Sequence, residues 1–387
     1  MRKLLSRALR LLAVLIVVIA AVAVWKRDEV ARLWAVLHLF DDNRIVHNFS
    51  HMDEAFLTRP VARGDGAVMP LPIGNAATLP DSVGPWIVNR VITGLVVLKD
   101  GKIVHEGYYH GTDATDRRIS WSVAKSLLSA LFGIVMAEGA IDSLDDPVTK
   151  YAPLLVGSAY EGTTIRQVLN MASGVTFDED YMAFNSDINK MGRVLALGGS
   201  MDDFAAGLKL RDREPGQAWH YVSIDTHVIG MVIRGATGRD VAELMSEKLI
   251  IPLGLETEPL YVTDGLGEAF VLGGLNMTTR DYARFGQLFL QNGIANGQQI
   301  VPANWVAAST ARSAPTGSDG MGYGFQWWIP PGAGVGEFMA QGIYGQFIYI
   351  NRPAGVVIAV NAADRRFTEE GVEGRNIAIY RAIANSL

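Results

Sequence analysis

"ISWSVAKSLLSALFG", residues 119–133, is apolar on nearly every face of the helix that its spacing predicts, yet Lys125 stands near its start with Ser122 three residues before it. Val123, Ala124, Leu127, Leu128, Leu131 and Phe132 leave little polar face, and a helix apolar all round belongs in an interior. A lysine carried into such an interior either snorkels along its stem to water or loses its charge. The stretch therefore predicts a buried helix, and the remaining chain must supply a surface to bury it.

Both chain ends supply strands. "GLVVLKDGKIVHEGYY" (94–109) is two β-rich runs around Asp100-Gly101, a hairpin signal. "GQFIYINRPAGVVIAVNA" (345–362) repeats that pattern around Arg352-Pro353-Ala354-Gly355, and a final helix is expected near 373–386. Between them, over roughly 119–310, helical patterns predominate, as in "TIRQVLNMA" (164–172), "DTHVIGMVIRGA" (225–236) and "TTRDYARFGQLFLQNG" (278–293). The expected fold is α/β in the α+β sense: an antiparallel sheet from both chain ends flanked by helices, with a mostly helical insert over roughly 140–310. Residues 28–58 read as an amphipathic helix (Val30, Leu33, Trp34, Leu37), and the Pro- and Gly-rich residues 59–86 as an extended strap. This divides the chain into 1–27, 28–84 and 85–387.

The 387 residues, 49% of them hydrophobic, suffice for a large core, and a charged fraction of 19% with mixed signs argues against disorder. A net charge of −6 without a basic stripe beyond the N-terminus gives no electrostatic case for nucleic acid. The chain has no cysteine, which removes disulfides, thiolate metal sites and a cysteine nucleophile together. Its seven histidines form no H-E-x-x-H, no cofactor is expected, and no G-x-S-x-G elbow is present.

The first 27 residues carry an address. "MRKLLSRALR" holds four basic residues, and the apolar "LLAVLIVVIAAVAVW" (11–25) is followed by Lys26 and Arg27. A membrane anchor over residues 8–25 is favoured, with cleavage at the small-x-small site ending at Ala23 as the alternative. Either way the basic flank places the folded body outside the cytoplasm, on the periplasmic side.

Ser122 and Lys125 form S-x-x-K, which on a helix sets hydroxyl and amine on one face. An apolar site lowers a lysine's pKa, and a neutral amine beside a serine is a base able to activate it. A capping serine with a snorkelling lysine fits the same tetrapeptide. In "EPGQAWHYVSIDTHVIG" (214–230), Tyr221 stands on a loop at a helix start, where its phenol could pass a proton. A packed ring bonded to a carbonyl is the other reading. "FMAQGIYGQFIYI" (338–350) is Gly-rich just before a strand, suited to close backbone approach by a ligand or to a bulge. "TFDEDYMAFNSDINK" (176–190) sets Asp178, Glu179, Asp180 and Asp187 against one Lys190, as an ordinary solvated loop or an acidic lip. Trp327 and Trp328 are aromatic core by default, or pocket wall.

S-x-x-K, then Y-x-S, then a Gly-containing strand near the C-terminus resemble the serine β-lactamase and penicillin-binding-protein superfamily, in its class C and esterase-like branch. "IDSLDDPVTKYAP" (141–153), "TTIRQVLNMASGV" (163–175), "EKLIIPLGLE" (247–256) and "GGLNMTTRDYARFGQLFLQNG" (273–293) are similar in the same order, so the likeness covers about 85–387. It implies a sheet domain with a helical insert and a site between them, acylated by an amide or ester substrate. Carried across, Ser122 is the nucleophile, Lys125 the base and Tyr221 its acid/base partner. The backbone N–H groups of Ser122 and Ile343 form the oxyanion hole, with Tyr181, Ser223, Gly342 and Gln346 against the substrate. Where β-lactamases have Lys-Thr-Gly and related esterases His-Thr-Gly, this chain has Ala340-Gln341-Gly342, and the missing cation speaks against a β-lactam or D-alanine carboxylate. That form, with the Y-x-S, resembles the 6-aminohexanoate-dimer hydrolases and their carboxylesterase relatives. The resemblance thus implies a small-molecule amide or ester hydrolase. A β-lactamase or D,D-peptidase, and a non-catalytic envelope ligand-binding protein, are the alternatives.

Overall fold

The computed structural model describes residues 2–387, apart from the side chains of residues 2–4, 8 and 19; the first residue of the 1–27 segment and the side chain of Ala8 thus lie outside the described residues. The two chain ends meet in one seven-stranded antiparallel sheet. Its strands are β1 (Ile92–Lys99), β2 (Lys102–Tyr108), β3 (Gly322–Tyr323), β4 (Trp328–Ile329), β5 (Glu337–Gly342), β6 (Gln346–Asn351) and β7 (Val356–Ala362), in the order β2-β1-β7-β6-β5-β4-β3. The two hairpins expected from sequence are β1–β2 and β6–β7, and they join through β1 and β7, with Leu98 opposite Val357 and Leu95 opposite Val360. Alternation then sends neighbouring residues to opposite faces. Val96, Leu98, Ile348 and Val357 face one core, while Leu95, Val97, Tyr349 and Ile358 face another.

A sheet apolar on both faces needs a helical layer on each. The helices used below are α1 (Arg2–Trp25), α2 (Arg27–Leu37), α3 (Val123–Ala137), α4 (Asp187–Ala196), α5 (Ser223–Thr237), α6 (Thr279–Leu290) and α7 (Val372–Asn385). Tyr380, Ile377 and Ile383 of α7 cover the outer face, and α3 and α6 the inner one. Every residue of α3 from Val123 to Val135 is buried, so the lysine does not snorkel: Lys125 is 1% exposed. The two serines within α3 satisfy their hydroxyls on neighbouring backbone, Ser126 on the Gln326 carbonyl and Ser129 on that of Phe325, both at 2.7 Å.

Several local expectations are corrected. The amphipathic helix expected over 28–58 stops at Leu37; beyond it come turns and a single helical turn at Ile45–Asn48, which fold back to bury Leu39, Phe49, Met52 and Phe56. The Gly-rich stretch read as preceding a strand is itself strand β5 up to Gly342, followed by a tight turn into β6. The helical middle also contains a small sheet, in which Thr58–Pro60, Leu260–Val262, Leu275–Met277 and Arg118–Ile119 pair across the chain. Strands of two or three residues show no alternation to read.

Candidate active site

Where β5 ends, it runs against the start of α3. A Cβ placed on Gly342 would lie 2.7 Å from the Ser120 carbonyl oxygen and 3.1 Å from the Ser122 nitrogen, so only glycine allows this approach. Ser122 is the N-cap of α3 but makes no capping bond with its side chain. Its hydroxyl instead faces the phenol of Tyr221, from the loop before α5, close enough to favour the ionised phenol. The backbone N–H of Ser122 and that of Ile343, the first residue of the turn after β5, both lie at helix N-termini, where such groups have no intrahelical acceptor. The 15-residue α3 adds the positive end of its dipole. On either side the backbone is strained: Trp121 has φ +41° and Tyr344 has φ +58°, left-handed values rare outside glycine. Aromatic packing holds both, since Phe40 stacks on Tyr344 at 4.8 Å and Phe49 meets Trp121 at 5.6 Å.

The amine of Lys125 lies 5.5 Å from the centre of the Tyr221 ring and donates to the Leu272 carbonyl at 2.9 Å. Burial pushes its pKa down to about 7, against the opposing pull of the Glu179 and Asp225 carboxylates. Burial also drives the Tyr221 phenol well above its ordinary range, and nearby Glu179 drives it further. Tyr221 is therefore a neutral phenol at rest, and the group able to lose a proton near neutrality is Lys125. Below them Asp225, fully buried, accepts a 2.7 Å bond from Tyr160 and is itself pushed up to about 7, chiefly by desolvation.

The carboxylate of Glu179 is the site residue that sequence reasoning missed. Read there as part of a solvated acidic loop, it instead turns inward, accepting from the Ser223 backbone N–H and from the Ser223 hydroxyl at 3.2 Å. Desolvation raises its pKa, and it in turn raises that of nearby Tyr181. Asp178 and Asp180 remain exposed, and Asp187 pairs with Lys190 at 2.8 Å, as a solvated loop would. Ser223 is thus occupied by Glu179 and is itself buried. Gln346 needs correction: rather than facing substrate it is 1% exposed, donates to the carbonyls of Tyr344 and Ala362 at 3.3 and 2.7 Å, and accepts from Asn361 at 3.0 Å. Its amide clamps the turn that carries Ile343. Trp327 and Trp328 divide, as strand neighbours do: Trp327 is core among Phe285, Phe289 and Phe338, and Trp328 stacks on Tyr221 at 5.3 Å.

Glu179, Tyr181, Tyr221, Trp328, Gln341 and Gly342 line a cleft of about 300 Å³. Ala340, at the position of the missing cation, is buried, and the next residue, Gln341, donates to Glu373 at 2.9 Å. Two carboxylates and no lysine or arginine border the cleft. Among the described residues no group of three or more His, Asp or Glu side chains is placed to hold a metal ion. The arrangement offers a hydroxyl at a helix N-terminus, a phenol near it, a buried amine, and two backbone donors for a developing oxyanion.

Residues 89–381 match the family model described as beta-lactamase. The chain is 29% identical over 334 residues to the 6-aminohexanoate-dimer hydrolase of Paenarthrobacter ureafaciens, covering 81% of this chain and 84% of that one. It is similar in structure to a protein from Bacillus anthracis proposed as a 6-aminohexanoate-dimer hydrolase, with TM-score 0.79, 25% identity, and 90% and 95% of the two chains covered. A family VIII carboxylesterase shares the fold at TM-score 0.60 and 15% identity, over 79% of this chain and 95% of that one.

Proposed function

The chain belongs to the β-lactamase family and is a serine hydrolase of that fold; from this premise we propose that it cleaves an amide or ester bond through an acyl-enzyme on Ser122, with Lys125 and Tyr221 moving the protons. The observation that carries the proposal is a lysine 1% exposed, three residues after a serine at the helix N-terminus and 5.5 Å from the ring of a neutral tyrosine. Lys125, uncharged in a large fraction near neutrality, takes up the proton as Ser122 Oγ bonds to the substrate carbonyl carbon. The negative charge on the carbonyl oxygen falls to the N–H groups of Ser122 and Ile343. As the carbonyl re-forms, the bond to the amine or alcohol breaks, and the leaving group takes its proton from Tyr221, which is resupplied by Lys125. Water then adds to the ester by the same relay, releasing a carboxylic acid and regenerating Ser122. Tyr181 and Gly342 shape the substrate side, while Ser223 holds Glu179 at the start of α5.

Support for a 6-aminohexanoate-dimer-hydrolase- or carboxylesterase-like substrate comes from the relatives and from the cleft. Glu179 and Glu373 would repel the carboxylate of a β-lactam or a D-alanine terminus and suit a neutral or amine-bearing substrate. We further assign residues 1–27 as a membrane anchor, 28–84 as a flanking segment and 85–387 as the hydrolase body, held outside the cytoplasm. The test is a fluorophosphonate probe on the full chain, with mass spectrometry. A single adduct on Ser122 is expected, with loss of nearly all p-nitrophenyl ester hydrolysis in Ser122→Ala. Unchanged activity in that variant would defeat the proposal, and stable labelling by penicillin would move the substrate to the peptidoglycan class.

A further inference from the structure

On the far side of Tyr181 and Ile343 from the cleft lies a second cavity, of about 290 Å³. Its walls are apolar, among them Phe40, Trp121, Met182, Ile188, Leu272 and Tyr344, and of all the residues around it only Arg193 is charged. That guanidinium is turned aside, 4.3 Å over the Phe184 ring and bonded to the Phe184 carbonyl at 2.7 Å. The cavity abuts residues that flank or hold the reacting groups. Trp121 precedes Ser122, the Leu272 carbonyl holds the Lys125 amine, and Ile343 carries the second oxyanion donor. Its outer wall is the end of α2 and the turn after it, and its rim leaves Leu37, Met182 and Phe184 more than half exposed. α2 in turn follows directly on the apolar helix α1.

From this adjacency to the residues that flank the serine we propose that the cavity takes the acyl side of the substrate as an unbranched aliphatic chain, the polar cleft being left to the leaving group; the inference rests on the acyl-enzyme reading above. An apolar space next to the residues flanking the serine and rimmed by exposed apolar side chains favours a chain of methylenes and offers nothing to a charged or hydroxylated one. Each methylene that it buries adds to acyl transfer, at about fourfold in kcat/KM.

Gly192 of α4 supplies the test. It lines the cavity, its backbone is ordinary helix, and a Cβ there would meet no atom within 4 Å. Gly192→Leu therefore inserts a branched side chain at an open place and replaces glycine in a helix by a better helix former. The experiment uses the full chain in phosphatidylcholine vesicles with p-nitrophenyl esters from acetyl to decanoyl, octyl acetate, and a fluorophosphonate probe for the serine. Wild-type kcat/KM is expected to climb with acyl length and then level off, and Gly192→Leu to lower the octanoyl-to-acetyl ratio tenfold or more, with Gly192→Ala between them. Partition of long esters into the vesicles cancels when variant and wild type are compared at one chain length. A flat acyl series, or equal losses for acetyl and octanoyl esters, overturns the inference while Ser122 labelling leaves the hydrolase reading standing. A length effect confined to octyl acetate overturns it too, by placing the alkyl chain on the leaving side. Absence of a Ser122 adduct in wild type overturns the underlying reading and the inference with it.

Discussion

Glu179 pulls on the charge of Lys125, and under the proposed mechanism the balance between them sets the working pH. Burial alone would strip the lysine of its proton far below the range of an exposed amine, and the carboxylates of Glu179 and Asp225 pull it back to about 7. The base must be neutral, so kcat/KM rises as pH increases through that value. Glu179→Gln removes one of the two opposing anions while keeping an acceptor for Ser223, so the Lys125 amine becomes easier to deprotonate. The rising limb should then move to lower pH, by about half a pH unit or more, in profiles of p-nitrophenyl ester hydrolysis. A limb that stays in place or moves upward would show that some group other than Lys125 governs it. The same pair shows where sequence reading stops. Lys125 was legible because its partner is three residues away on one helix face. Glu179 was not, because Ser223, which draws it inward, is 44 residues distant and nothing local separates it from Asp178 and Asp180.

Among elements, the decisive meeting is the end of β5 with the start of α3. The hairpins β1–β2 and β6–β7 were readable from alternation and turn residues, and α3 from its unbroken apolar run. What those patterns could not show was that β5 brings Gly342 against Ser122, or that Gln346 reaches Ala362 in the adjacent strand instead of the substrate. Register between strands is a long-range property, whereas periodicity is local. The contact makes Gly342→Ala informative. The φ of Gly342 is −130°, open to any residue, so the substitution acts by collision alone. Its methyl group would meet the Ser120 oxygen at 2.7 Å and the Ser122 nitrogen at 3.1 Å, both backbone atoms that cannot swing aside. The strand must back away, taking the Ile343 N–H with it. Loss of one such donor lowers kcat by about a hundredfold or more. The fluorophosphonate labelling rate should fall in parallel while the protein still folds. Retained kcat would mean that Ile343 does not bind the oxyanion.

At the scale of the molecule, α1 stands apart from everything it precedes. α2 is tied to the body, for Arg32 donates to the Ala196 carbonyl at the end of α4 at 3.2 Å. The span Leu5–Trp25 is 21 residues with no burial against the protein. At 1.5 Å per residue it reaches about 31 Å, the thickness of a bilayer's hydrocarbon core. Under the proposed anchoring, Arg2, Lys3, Arg7 and Arg10 near its start would keep that end in the cytoplasm and put the hydrolase body on the other side. Because the described side chains of α1 are exposed, removing residues 1–25 should leave Tm within about 2 °C of the full chain. Its own apolar surface would still hold the full chain in the membrane, and since that attachment is not a charge interaction, salt cannot screen it. Fractionation checks both halves. The full chain is expected with membranes after a high-salt wash and released by detergent, its mature end before Leu5 by N-terminal sequencing. The shortened chain should be recovered in solution with its melting curve intact. Recovery of the full-length product in solution with an N-terminus at Val24 would instead identify residues 1–23 as a cleaved signal, and the body as freely diffusing outside the cytoplasm.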